Sequence, residues 1–212
     1  MSTVRELFVE VAEPAAGLLA EPRVAEEWDK PSALAEMSVR GLAGHLASQV
    51  FFVPAMLAQP APTEERIGLH EYYARSSWIG SDLDTPFNRG IRTLSEKEAG
   101  DDPAALAARV AECVQELRTT LPGEPDRSVR RSSWGPWSIG LDDFVASRIL
   151  ELVVHSDDLA YSVGVATPEF PAPAVELVTD ILTRIAIRRH GAVDVLRALS
   201  RAERAPTTIS AL

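Results

Sequence analysis

The chain has 212 residues, 46% of them hydrophobic and 25% charged, enough for one sizeable core or two small ones. With 21 basic against 31 acidic residues the formal net charge is −10, a balance that repels phosphate backbones and anionic lipid and argues against nucleic-acid or membrane partners. Cys113, the single cysteine, excludes an internal disulfide and suits a reducing compartment.

The opening MSTVRELFVEVAEP lacks the basic segment and continuous apolar run of a secretory signal. No stretch nears the about 18 apolar residues of a membrane span, so a cytoplasmic protein is expected. Thr3 followed by Glu6 fits a capping box, and Val4, Leu7, Phe8, Val11, Ala15, Leu18 and Leu19 recur at helical spacing. Pro14 lies inside that pattern and is expected to kink or break it. Residues 21–34 read as a loop with one helical turn near 24–28. Ser38 is an N-cap candidate for a second helix, which Pro54 is expected to interrupt. Gly41, Ala43, Gly44 and Ala47 make that helix slim, so a neighbour can approach its backbone closely.

After a proline-rich connection a third helix is predicted over 63–78, then loop, a short helix near 88–94, and loop again. Asp102 before Pro103 marks the start of a fourth helix reaching about 121, with Leu106, Val110, Cys113, Leu117 and Leu121 on its apolar face. Residues 122–140 form a turn-rich connection holding Trp134 and Trp137. A long helix follows over 141–162, with Asp142 and Asp143 read as N-cap and first-turn charge and Gly164 as a left-handed C-cap. Helices over 174–190 and 193–199 and an irregular tail complete the chain. Many helices, little strand signal and no linker predict one all-α bundle over residues 1–212, with a helical extension from about 165.

The stretch 141–162 carries the chemistry. Arg148, Glu151, His155 and Asp158 follow at offsets of three, four and three, so they line one face of a helix whose other residues are largely apolar. Ionisable groups in such a setting are costly unless paired, hydrogen-bonded or metal-bound. Glu151 and His155, related as i and i+4, can reach one point above a helical turn, as the two histidines of HExxH do. His45 on the slim second helix is the natural third ligand, giving two imidazoles and a carboxylate, a set that suits zinc. Arg148 can then hold a carboxylate in a fork, and Asp158 can orient an imidazole. The simpler alternative is an Arg148–Glu151 ion pair with a His155–Asp158 hydrogen bond.

His70 could substitute as a ligand, though an exposed helix position accounts for it equally. His190 precedes Gly191 and suits a helix C-terminus. Cys113 reads as a core thiol, and the four tryptophans as lids over the bundle ends. No phosphate-cradling glycine loop or GxSxG elbow occurs.

The runs WDKPSAL at 28–34, SVRGLAGHL at 38–46 and RILELVVHSDDL at 148–159 resemble the mycothiol-dependent maleylpyruvate isomerase family, part of the DinB-like group of metal-binding bundles. The likeness extends over roughly 5–164. It implies a DinB-like four-helix bundle with a crossover connection, a divalent metal, most often zinc, held by His45, Glu151 and His155, and mycothiol as a thiol cosubstrate. The implied activity is a thiol-dependent isomerase or transferase acting on a small electrophile, with Arg148 and Asp158 in support. Thiol-free metal-assisted hydrolysis and a non-catalytic accessory role are the alternatives. A monomer or homodimer is expected.

Overall fold

A computed structural model describes residues 3–131 and 133–212. Four long helices form the bundle: α1 (Val4–Leu19), α3 (Val39–Leu57), α6 (Pro103–Thr120) and α7 (Leu141–Val163). α1 packs on α6 and α7, and α3 packs on the same two. The ring order is therefore α1–α6–α3–α7, and the chain crosses the bundle diagonally from α1 to α3 and again from α6 to α7. The short α2 (Pro22–Glu26) leads into the first crossing, α5 (Pro86–Ala99) lies along the outside of α3, and α8 (Ala172–His190) covers α7. α9 (Ala192–Ser200) packs in turn on α8. The all-α expectation holds.

Local chemistry explains most helix starts. Thr3 closes a capping box with Glu6 on α1, and Ser38 Oγ accepts from the Gly41 amide at 2.9 Å on α3. Asp102 caps α6 ahead of Pro103. Gly164 adopts φ 69°, ψ 37° at the end of α7 and lets its last carbonyls be bonded without a Cβ penalty.

Pro14 was expected to kink or break its helix and Pro54 to interrupt its own, and neither ends one: α1 runs through Pro14 and α3 through Pro54. The lost backbone bond is outweighed by apolar contact on both sides of each proline. Phe8 and Val11 before Pro14, and Ala15 and Leu18 after it, are all buried.

The predicted helix over 63–78 is also corrected. Residues Arg66–Ile67 form strand β1, and α4 spans only Leu69–Arg75. With Ser128–Val129 (β2) and Ser138–Gly140 (β3), β1 makes a small sheet of order β1-β3-β2, parallel at β1–β3 and antiparallel at β2–β3. Two or three residues per strand are too few for a period-2 signal, which is why the sheet was not anticipated. Its register places Ile67, Val129 and Ile139 together under the bundle end. α5 exceeds the expected 88–94 because Thr85 caps it and Pro86 opens it. The N-cap of α7 is Gly140, not Asp142. Asp142 instead accepts from Arg5 Nε at 2.6 Å, tying the first turn of α7 to α1.

Candidate metal centre

α3 presents His45 to α7, which presents Glu151 and His155 one turn apart. His45 Nε2 lies 3.4 Å and His155 Nε2 3.2 Å from the same oxygen, Glu151 Oε2. The two imidazoles meet edge to face with centroids 4.7 Å apart. All three ligand atoms fall within 4.8 Å of one another, a group that could hold a metal ion. The side chains are 16%, 10% and 16% exposed in the order His45, Glu151, His155, so the point they face is shielded without being sealed.

Each imidazole is held from behind. Asp158 Oδ2 accepts from His155 Nδ1 at 2.9 Å, and Ser95 Oγ on α5 sits 3.4 Å from His45 Nδ1. Both Nδ1 atoms being occupied, both Nε2 atoms are turned to Glu151, the arrangement by which outer carboxylates and hydroxyls aim ligating histidines. Gln49, one turn beyond His45, completes the frame. Its amide nitrogen donates to the His45 carbonyl at 2.8 Å and lies 3.3 Å from His45 Nε2, while its amide oxygen accepts from Arg148 Nη1.

Burial pulls His45 below the usual imidazole range, against the opposing bond to Glu151. Burial would raise Glu151, but bonds from His155 and His45 and the Arg148 charge outweigh it and hold the carboxyl well below its ordinary value. Burial would lower His155, and the bonds to Asp158 and Glu151 overcome it, pushing the imidazole up to about 9. Glu151 is thus an anion at neutral pH, one whose Oε2 faces two imidazole nitrogens. That donor set matches a divalent ion of zinc's borderline character.

Glu151, His155 and Asp158 come together as their spacing on one helix predicted, and His45, the third ligand expected from the slim helix, joins them. Arg148 is buried on the same face, but it makes no ion pair with Glu151 among the described residues. It donates to the neutral Gln49 and, at 3.2 Å, to Ser147 Oγ. Half of the simpler reading, the helical ion pair, is thus absent, and its His155–Asp158 half is present. His70 is exposed and stands apart from the group, and His190 Nε2 sits 2.8 Å from the Ser210 carbonyl. Cys113 is half-buried with its thiol pushed up to about 11.

Sequence reasoning passed over Gln49, Ser95, Tyr72, Tyr73 and Arg131. Gln49 was visible at i+4 from His45; Ser95 was not, since its role depends on α5 lying against α3.

Residues 8–160 match the family model described as the mycothiol maleylpyruvate isomerase N-terminal domain. The chain belongs to that family. The match contains all three ligand candidates, Asp158 and Arg148. Comparison with curated proteins and with solved structures gave no match.

Proposed function

We propose that this family member is a divalent-metal-dependent enzyme, with zinc as the metal, that uses mycothiol as cosubstrate in an isomerase or transferase reaction on a small electrophile. The observation that carries it is the convergence of His45 Nε2, Glu151 Oε2 and His155 Nε2 on one shielded point, within a domain of a mycothiol-related family. A bound divalent ion supplies a lowered thiol pKa, hence a nucleophile at neutral pH.

The protein's own residues bind and orient. His45, Glu151 and His155 hold the ion. Asp158 accepts the Nδ1 hydrogen bond of His155 and fixes the ring. Gln49 and Arg148 brace His45 from the side. Cys113, half-buried and protonated to about pH 11, is unsuited to be the nucleophile, which favours a diffusible thiol. On this reading the chain is a cytoplasmic protein that functions as one domain, α8 and α9 included.

Two measurements test the proposal. Protein purified without chelators should carry about one divalent ion per chain, and His45→Ala, Glu151→Ala and His155→Ala should each abolish it while far-UV circular dichroism stays unchanged. Turnover of an electrophile panel should require added mycothiol. Metal-free wild-type protein would overturn the metal centre, and thiol-independent turnover would redirect the chemistry to hydrolysis.

A further inference from the structure

Beside the three ligand candidates lies a second group of polar side chains, with complementary rather than similar chemistry. Arg148 is buried, and its guanidinium lies 5.4 Å from the centroid of the Phe144 ring. Arg131 is half-buried in the connection before β3, 4.1 Å over the Phe52 ring. Neither has a carboxylate partner among the described residues. Phe52 stands three residues beyond Gln49 on α3, so Arg131 sits about one turn along from the residue that bridges Arg148 to His45. Tyr72 on α4 belongs to the same cluster: its ring meets Trp134 at 5.2 Å, and Trp134 meets Phe144 at 6.1 Å. The hydroxyl of its neighbour Tyr73 is buried with no hydrogen-bond partner among the described residues.

Each of these groups can donate: Arg148 gives N–H bonds to Gln49 and Ser147, whereas the Arg131 guanidinium has no acceptor among the described residues. Two neighbouring guanidiniums repel one another, and the single Glu151 carboxylate is shared between them; burial weakens Arg131's hold on its proton, a tendency the Arg148 charge reinforces. Stacking on Phe52 and Phe144 covers one face of each guanidinium; Arg148 keeps its Nη2 and Arg131 its whole N–H edge for something else. An uncharged ligand would not cancel the repulsion; an oxyanion would, and a carboxylate's two oxygens match a guanidinium edge.

We propose that Arg131 and Arg148, with the hydroxyls of Tyr72 and Tyr73, form an oxyanion-binding subsite next to the His45–Glu151–His155 group. The subsite receives a carboxylate or phosphate borne by the molecule that the metal centre acts on, or the free anion. It deepens the proposed function and rests on it only for its use: anion binding can be measured whether or not a metal is held.

The experiment titrates the full chain, in metal-free and zinc-loaded forms, with succinate, inorganic phosphate and neutral succinamide by isothermal calorimetry. Metal content is measured on the same samples. Succinate or phosphate should bind both forms at one site and succinamide neither; the tighter of the two identifies the carboxylate or the phosphate as the natural group. Arg131→Met, which keeps the contact with Phe52, should weaken binding by about thirtyfold or more. Its metal content and helicity should be unchanged, and Arg131→Lys should recover part of the loss. No binding of either anion to either form, or wild-type affinity in Arg131→Met, would overturn the subsite. Anion binding by a wild-type protein that takes up no zinc would leave the subsite standing and remove the metal reading.

Discussion

At the scale of single residues, the decisive group is His155. Its imidazole is raised to about 9 from 6.5 because the bonds to Asp158 and Glu151 outweigh burial. A raised folded value means that the protonated form stabilises the metal-free fold. That contribution is complete below about pH 6.5 and is lost as pH rises through about 9. Metal ligation needs the neutral ring, so metal and proton compete. Apparent zinc affinity, measured against a competing chelator, should climb about tenfold per pH unit between 7 and 9 for one displaced proton. Asp158→Ala removes the bond that both orients the ring and raises its pKa. It should flatten that slope and, through lost orientation, weaken zinc binding by about 10- to 100-fold. A slope identical to wild type would show that Asp158 does not govern the titration. The quartet Arg148, Glu151, His155 and Asp158 was legible in the sequence because all four sit on one helix, where spacing alone fixes geometry. Arg131, Tyr72 and Tyr73 were not, because only tertiary packing brings their segments to α7.

At the scale of elements, α5 lies close against the backbone of α3 at Gly44. A Cβ added at Gly44 would stand 2.0 Å from the Ser95 carbonyl oxygen and 2.9 Å from the Ala99 amide nitrogen. Those are backbone atoms that cannot rotate away. The slimness of α3 was read correctly from Gly41, Ala43, Gly44 and Ala47, but at Gly44 the neighbour it admits is α5, not α7. Gly44→Ala should therefore destabilise the protein by about 1–3 kcal/mol in urea unfolding, despite alanine's better helix propensity. It should also displace Ser95 from His45. Gly17→Ala on α1, where nothing lies within 4 Å, is the control and should stabilise by about 0.5–1 kcal/mol. If both changes behaved alike, the Gly44 contact would not be tight. Helix existence was legible throughout from apolar periodicity. The prolines misled because their one lost hydrogen bond is local, whereas the contacts that carry α1 and α3 through them come from other parts of the chain.

At the scale of the whole molecule, the segment after Gly164 is part of the core. Val178, Ile181 and Ile185 of α8 are 4%, 1% and 5% exposed, and each such burial contributes about 1.5–3 kcal/mol. A chain cut after residue 164 should therefore lose cooperative thermal unfolding and bind a hydrophobic dye, since the loss rivals the whole stability of a typical domain. Unchanged cooperative melting of the truncated chain would show that the extension is dispensable. The small sheet has a consequence of a different kind. β3 runs directly into α7, and β1 stops one residue short of α4, so the strand pair bolts the helix bearing Tyr72 and Tyr73 to the helix bearing Glu151 and His155. The Ser138 amide, bonded to the Glu65 carbonyl at 2.8 Å, is the pin of that bolt. Its rate of deuterium uptake should serve as a clock for every parting of the two walls, read out from a strand rather than from either helix.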